Sequence, residues 1–292
     1  MPSLKEIKGR IASVKSTQKI TSAMKMVASA KFRKAQNQIE QFLPYEHRLS
    51  NILNDFLSGY NDDVFSSVFS EVREIQRSAI VVLSSNSSLC GAFNSNIIRF
   101  LNEYIKKHNC QKCEITIYAI GKKVETAVRK LNMPLIIKGG YSELMDKPTF
   151  EGAKEIADIL MDDFIANNID RVDLLYNFCK NAGIQIPTEE QFLPVDLSKR
   201  IEKKAVPTDY IIEPDRITVL ESLIPRALRS KIYAILLSSA AAEQAARVVA
   251  MQVASDNADE ILDELSIQFN KQRQQSITSE LLDIIGGSEA LK

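Results

Sequence analysis

The residues of this chain that could carry out chemistry are few and scattered. Cys110 and Cys113 form a CxxC pair, a spacing found in redox and zinc sites. No second CxxC follows, and the pair does not lie in a redox βαβ pattern. The two histidines, His47 and His108, fall on polar faces of predicted helices without clustered ligands, so we interpret both as surface residues. The sequence therefore shows no Ser-His-Asp or Cys-His arrangement.

The glycines also give no nucleotide-binding motif. There is no GxGxxG after the first predicted strand and no GxxxxGK[ST] anywhere in the chain. Gly121 and the pair Gly139–Gly140 are interpreted as turn residues. Cys90 and Cys179 lie in apolar segments, which predicts buried small side chains. We expect no cofactor and no metal.

The middle of the chain alternates strand and helix patterns. This alternation predicts a small, mostly parallel, Rossmann-like α/β domain at about residues 75–200. The two prolines of Gln185–Asp196 make that segment an irregular or edge strand. The predicted strands are Ser78–Asn86, Glu114–Gly121, Leu135–Gly140 and Arg171–Lys180, and the predicted helices are Phe93–His108, Lys122–Leu131 and Phe150–Asn167.

The C-terminal region, residues 210–292, contains an unusually long helical run. Arg226–Ile285 has neither Gly nor Pro, and as one helix it would be about 90 Å long at 1.5 Å per residue. A shorter helix, Ile217–Ile224, is expected to end before Pro225. Because so long a helix must bury its apolar stripe, it needs a partner helix, a membrane or another protein.

The N-terminal region, residues 1–58, also reads as helix. Leu4, Ile7, Ile11 and Val14 have the spacing of a coiled-coil seam. The polar run Lys15–Lys19 is expected to interrupt this seam, which would resume at the apolar residues that follow, Ile20, Met24 and Val27. Pro44 is expected to kink or divide the helix.

These elements favour one assembly. The two terminal helices flank the α/β insert, so they can return beside each other as a long antiparallel coiled coil, with one end of the longer C-terminal helix projecting beyond its partner. An alternative, a free-standing α/β enzyme with a coiled-coil dimerisation arm, fits the same pattern.

Composition narrows the function classes. The net charge of zero argues against a general nucleic-acid binder. The charges are nevertheless unevenly distributed along the chain, because residues 1–39 carry nine Lys or Arg and one acid, whereas Asp256–Glu264 carries five acids and no base. Two ends of opposite charge are suited to pair with each other or to bind a partner in one orientation. We find no signal-peptide, transit-peptide or transmembrane pattern, so we expect a cytoplasmic location.

Long segments at both ends are specific enough to be compared with a known family. The chain resembles the gamma subunits of F-type ATP synthases, and the absence of a transit peptide favours the bacterial type. The matching terminal segments are Ser3–Gln36, Ala242–Glu260 and Asn270–Gly287, and the internal ones are Ser87–Asn94, Leu174–Asn181 and Tyr210–Asp215.

This resemblance implies a central rotary shaft without a catalytic site of its own. The coiled coil would pass into the ring of alpha and beta subunits, and the α/β domain would form a foot that binds epsilon and the membrane ring of c subunits. Ion flow through the c ring would turn the shaft, and ATP would be made in the beta subunits. The location implied is the cytoplasmic face of the bacterial plasma membrane.

The resemblance also implies roles for particular residues. Arg273 and Gln274 match a polar pair that engages a beta-subunit loop as a catch, and Thr278 and Glu280 belong to the matching signature ITxE, also counted among the beta contacts. The matching apolar tip that would turn in the bearing of the ring is formed by Ile277, Leu281, Ile284 and Ile285. The region facing the acidic lever segment of beta is matched by Met24, Lys19, Lys25 and Lys31. One departure is that Asn86, Ser87 and Ser88 replace the family's Asp-Arg-Gly before Leu89.

Overall fold

The computed structural model describes residues 3–58, 67–107, 113–130, 135–195, 212–213 and 215–290. The predictions made for His108 and Cys110 lie outside these residues. The chain divides into two compact units. We call them the helical-pair unit (Met1–Ala28 with Val248–Lys292) and the α/β unit (Ser29–Arg247). The three-part division predicted from the sequence, at residues 1–58, 75–200 and 210–292, stays a prediction.

Two long helices, α1 (Leu4–Ser58) and α6 (Arg216–Ala290), contribute to both units. Helix α1 begins with a capping box, because the Glu6 amide donates to Ser3 Oγ at 3.3 Å and the Ser3 amide donates to Glu6 Oε2 at 2.9 Å. Helix α6 begins after Asp215, whose carboxylate accepts from the amide of Thr218 at 2.9 Å and from its hydroxyl at 2.7 Å. Side chains thus satisfy amides that have no partner within each helix.

Two prolines predicted to break these helices do not end them. Pro44 lies inside α1 and Pro225 lies inside α6, so the prediction of a separate helix Ile217–Ile224 is wrong. Packing explains why α6 continues through Pro225. Ile224 and Leu228 on either side of Pro225 are buried in the core of the α/β unit, and this burial offsets the hydrogen bond that a helical proline loses.

The α/β unit contains one sheet of five strands in the order β3-β2-β1-β4-β5. The first four strands are parallel, and β5 joins the edge antiparallel to β4. This confirms the predicted mostly parallel sheet and its edge strand. The strands are β1 (Arg77–Leu83), β2 (Glu114–Ile120), β3 (Leu135–Lys138), β4 (Arg171–Asn181) and β5 (Ile184–Leu193).

Helices cover both faces of this sheet. Alternate residues of β1 belong to two separate core clusters, with Ala79 and Val81 in one and Ile80 and Val82 in the other. The first cluster includes residues of α1, α5 and α6, and the second includes residues of α2 and α3. Burial on both faces is the reason why the central strands read as continuous apolar runs. The shorter helices are α2 (Phe93–Lys107), α3 (Lys122–Val128), α4 (Glu143–Asp146) and α5 (Phe150–Ile165), and a 3-10 turn spans Val68–Ser70.

In the helical-pair unit the first part of α1 pairs with the last part of α6. Gln18 donates its side-chain amide to Asp259, and the hydroxyls of Ser22 and Ser255 lie 3.1 Å apart. Four residues forward on α1 therefore correspond to four residues back on α6, which is an antiparallel register. The inward residues follow heptad spacing on both helices. They are Leu4, Ile7, Ile11, Val14, Gln18, Thr21, Lys25 and Ala28 on α1, and Val248, Met251, Ser255, Ala258, Leu262, Leu265, Phe269, Gln272 and Ser276 on α6.

The predicted interruption of the seam is wrong. The seam keeps its heptad register through the polar run and uses Gln18 and Thr21 as inward residues. Two of the three apolar residues that were predicted to resume it point outward, with Ile20 57% and Val27 58% exposed, whereas Met24 is half-buried. Hydrogen bonds accommodate these two polar residues, because Gln18 donates to Asp259 across the pair and the Thr21 hydroxyl donates to the Gln18 carbonyl at 3.0 Å.

Helix α6 contains an unusually apolar stretch. Among the described residues, Ile217–Ile285 is long and apolar enough to cross a membrane by length and composition. However, 67% of its most apolar window is buried inside the protein, and core helices pass the same test. We therefore regard it as weak evidence for a membrane span.

Candidate functional site

The eight residues assigned to a catch and a bearing all lie on the last part of α6. Their side chains are all exposed. At 3.6 residues per turn, their positions fall within an arc of about 160° on the helix surface. The structure thus brings together one continuous face that starts at Arg273 and ends at Ile285, and we call it the tip face.

The tip face has no described residue of α1 opposite most of its length. If the register of Ser22 with Ser255 is continued, Ser3 lies level with about Gln274, since each helix rises 1.5 Å per residue. Residues from Ile277 onward then lie beyond the described start of α1. The large apolar side chains there are accordingly exposed, and Ile284 reaches 67%. One polar contact is local, because the Thr278 hydroxyl donates to the Gln274 carbonyl at 2.9 Å.

The four residues assigned to the beta lever are not gathered on one face. Lys19 is exposed on one side of the seam, and Met24 is half-buried on the other side. Lys25 occupies a seam position and is also half-buried. Lys31 belongs to the α/β unit, where it lines a groove of about 500 Å³ together with Lys34 and Lys147. The outward apolar residues beside them, Ile20 and Val27, were missed by the sequence analysis because they were assigned to the seam.

The α/β unit has the usual place for a ligand in a doubly wound sheet. Strand order reverses between β1 and β4, and ligands of such folds bind beyond the carboxyl ends of the strands at this point. Here residues of α6 occupy the place. Ala242 and Ala246 pack against Cys90 and Phe93, which follow β1, and against Cys179 near the end of β4. The crevice is therefore filled by the chain's own helix.

A buried ion pair closes the same crevice. The Arg247 guanidinium donates to Glu243 Oε1 at 2.7 Å and to Ser87 Oγ at 2.7 Å, and its second nitrogen lies 3.5 Å from the Ser88 carbonyl. Burial raises the pKa of Glu243, and the charge and hydrogen bond of Arg247 oppose that rise. Sequence reasoning missed this pair, although two opposite charges four residues apart in an alanine-rich helix were a visible signal.

Other candidates from the sequence show structural contacts. A Cβ at Gly121 would clash with the Ser84 carbonyl oxygen, and φ is +106°, so only glycine fits this close approach. Cys90 is buried as predicted, but Cys179 is partly exposed. The Cys113 thiol donates to the Ile75 carbonyl at 3.2 Å, and His47 is exposed. Within the described residues, no group of three or more His, Cys, Asp or Glu could hold a metal ion.

The geometry defines a class of protein in which two terminal helices pair antiparallel and an α/β sheet is inserted between them. Solved structures share this fold. A chain of the Euglena gracilis mitochondrial ATP synthase (OSCP/F1/c-ring) aligns with a TM-score of 0.66 and 22% identity, covering 99% of this chain and 94% of that one. A chain of the Tetrahymena thermophila central stalk/c-ring structure aligns with a TM-score of 0.59 and 23% identity, covering 81% and 99%.

Sequence comparison identifies the family itself. The family described as ATP synthase matches residues 3–291. The ATP synthase gamma chain of Azobacteroides pseudotrichonymphae is 56% identical over 293 residues, covering 100% of both chains. That of Phocaeicola vulgatus is 49% identical, covering 99% of this chain and 100% of the relative. This chain belongs to the family of ATP synthase gamma chains.

Membership carries its general function. The chain is a gamma subunit of an F-type ATP synthase, a membrane-associated complex that couples ion transport to ATP synthesis. The comparisons give no support to a free-standing enzyme with a dimerisation arm.

Proposed function

We propose that this chain is the non-catalytic central shaft whose tip face turns within the ring of alpha and beta subunits. The single observation that carries this proposal is the row of exposed apolar side chains on the tip face. Ile277, Leu281, Ile284 and Ile285 are each at least half exposed. Contiguous apolar surface of this kind marks a site for another protein.

The two kinds of residue on the tip face suit two tasks. Apolar side chains have no directional hydrogen bonds, so they can slide within an apolar bearing as the shaft turns. Arg273, Gln274, Thr278 and Glu280 offer donors and acceptors that can hold a loop of one beta subunit at one angle. The tip face is therefore different from the other side of the helix. As the shaft turns, each of the three beta subunits would contact this face in turn.

A second contact is proposed for the basic residues nearer the middle of the shaft. Lys19, Met24, Lys25 and Lys31 would face an acidic lever segment of beta. An exposed pair of opposite charges contributes only about 0–1 kcal/mol, so these residues would orient the contact more than tighten it. Because Lys25 is half-buried in the seam, Lys19 and Lys31 are the better placed charges.

The remaining partners and the location follow from the same proposal. The α/β unit would form the foot that binds epsilon and the c ring, at the cytoplasmic face of the bacterial plasma membrane. ATP would be formed in the beta subunits, and nucleotide would not bind in the crevice of the α/β unit. Arg247, Ala242 and Ala246 already occupy that crevice.

The catch is tested with a matched pair of variants. We expect Gln274→Ala, alone and combined with Arg273→Ala, to lower ATP synthesis by the reconstituted complex while the chain still folds and assembles. Gln275→Ala serves as the control, because the neighbouring glutamine is also exposed but projects about 60° outside the tip face. Normal synthesis and hydrolysis in an assembled complex carrying both changes would contradict the catch assignment.

A further inference from the structure

The strongest unassigned feature is the contact between α6 and the loop Ser84–Cys90 that follows β1. Two side chains of this contact are charged and almost completely buried, with Glu243 5% and Arg247 9% exposed. Nothing in the assigned catch, bearing or lever uses them. The contact lies within the α/β unit, on the helix that continues to the tip face.

The contact resists twisting because its bonds lie away from the helix axis. The side chains of an α-helix reach about 5–6 Å from the axis, and Arg247 extends from α6 to Ser87 Oγ at 2.7 Å. Glu243, one turn earlier, holds the same guanidinium at 2.7 Å. A guanidinium held by two groups in a planar fork is fixed in direction as well as in distance. Rotation of α6 against the sheet would break the bond to Ser87, while the Glu243 bond lies within α6 and fixes the direction of the guanidinium.

Small residues set the distance of the same contact. Ala242 and Ala246 lie against Cys90 and Phe93 without a long side chain between the helix and the sheet. Close-packed contacts of this kind transmit displacement with little deformation, since protein interiors are as dense as organic crystals. The alanines therefore limit translation, and the hydrogen bond from Arg247 to Ser87 limits rotation.

The loop that receives Arg247 is itself held firmly. The Ser85 hydroxyl donates to the Ser87 carbonyl at 2.6 Å. Asn94 of α2 accepts from the Ser85 amide at 3.1 Å, and Lys123 of α3 donates to Ser88 Oγ at 2.9 Å. A force applied through Arg247 is thus passed to two helices that cover the sheet.

Stability alone does not require this ion pair. Buried ion pairs can often be replaced by apolar side chains of similar volume without loss of stability, because burying the charges is costly. The directional hydrogen bond from Arg247 to a firmly held loop is therefore better explained by a role in fixing the orientation of α6 against the loop. Resting on the rotor function proposed above, we propose that Arg247, positioned by Glu243 and bonded to Ser87, is a torsional joint that passes torque between the α/β unit and α6.

The experiment measures torsional stiffness in the assembled complex. The alpha–beta ring is fixed to a surface, and a bead is attached to the α/β unit at Lys106→Cys, an exposed position on α2. The background keeps the buried Cys90 and lacks Cys110, Cys113 and Cys179. The angular variance of the bead in stalled complexes reports the stiffness of the shaft. Ion pumping per ATP hydrolysed is measured in vesicles.

Three variants separate torque from stability. Glu243→Met with Arg247→Met removes the bonds but keeps apolar volume, Ser87→Ala removes only the bond to the loop, and Arg247→Lys keeps the charge without the fork. We expect a larger angular variance and less pumping per ATP in each, with the double variant most affected. The control is Arg99→Met with Glu103→Met, an exposed pair with the same i, i+4 spacing on α2, which should leave both readings unchanged.

The outcomes distinguish this proposal from the rotor function beneath it. If the unmodified complex assembles and its bead rotates, but Ser87→Ala and the double variant keep the original variance and pumping, the torsional joint is wrong. If a folded unmodified chain neither joins the ring nor turns in it, the rotor function fails first. Should the double variant not fold, Ser87→Ala and Arg247→Lys still decide the result.

Discussion

The two units of this chain use apolar residues in opposite ways. The α/β unit buries them on both faces of its sheet, and its central strands have almost no exposed side chain. The helical-pair unit buries one narrow heptad seam and leaves large apolar residues outside on both helices. The first unit completes its own core, whereas the second presents surface that other proteins must cover.

The difference shows how one chain can combine a rigid body with a contact surface. A helix pair has too little interior to bury every apolar side chain, so those outside the seam are available for binding. The α/β unit even fills its own ligand crevice with α6. Substitutions matched between buried and exposed positions test this contrast, beginning with the largest expected effect.

Truncation of a large side chain should lower the free energy of unfolding much more in the α/β unit than at the tip of the helical-pair unit. Phe164 is fully buried in the α/β core, so Phe164→Ala should lower the free energy of unfolding by about 3–5 kcal/mol through lost burial and a cavity. Ile284→Ala at the exposed tip should change it very little. Urea unfolding of the isolated chain, followed by circular dichroism, measures both. Equal losses would show that the tip is packed within the chain and would break the contrast.

Enlarging a residue in the seam should separate inward from outward positions of α1. Ala28 is buried in the heptad seam and Ala23 is exposed on the same helix. Ala28→Leu should cost about 1–3 kcal/mol by overpacking, while Ala23→Leu should be nearly neutral. Thermal unfolding of the two variants provides the measurement. A neutral or stabilising Ala28→Leu would mean that the seam is loosely packed.

Acid should destabilise the α/β unit through Asp163. Burial alone would raise the pKa of this carboxyl, but hydrogen bonds from Lys138, Tyr118 and Asn168 outweigh burial and leave the pKa lowered. The stability that Asp163 contributes is therefore present above its pKa in the unfolded chain, about 3.9, and is lost as pH falls through the lower folded value.

The matching experiment compares two neighbouring aspartates. Asp163→Asn should flatten the fall of unfolding free energy below about pH 3.9. Asp162→Asn removes a carboxylate from the exposed side of the same helix and should leave more of that fall in place. Denaturant unfolding at a series of acidic pH values compares them. An unchanged acid slope in Asp163→Asn would assign the acid sensitivity to other carboxylates.

The sequence predicted the α/β sheet well because its signals are local. Strands such as Arg77–Leu83 and Arg171–Asn181 are apolar on both faces, and the helices between them have regular apolar spacing. The antiparallel pairing and the projecting end of α6 followed from helix length. Pro225 was misjudged because burial around it, which the local sequence does not show, keeps the helix continuous.

The candidate sites divide in the same way. The tip face was predictable because its residues lie on one helix and match a long family segment. The seam was not, since Gln18 becomes an inward residue only through Asp259, a partner more than 200 positions away in the sequence. The spacing of Glu243 and Arg247 was a local signal, but the bond from Arg247 to Ser87 joins segments 160 positions apart, which no local pattern reveals.

Rotation observed directly is the measurement closest to the central claim. The chain is assembled with its alpha and beta subunits, the ring is fixed to a surface, and a bead is attached to the exposed Lys106→Cys position of the α/β unit. If the exposed face of the helical pair is the surface of a shaft, ATP should drive the bead in one direction. Complexes that contain the chain and hydrolyse ATP while the bead stays fixed relative to the ring would contradict the account.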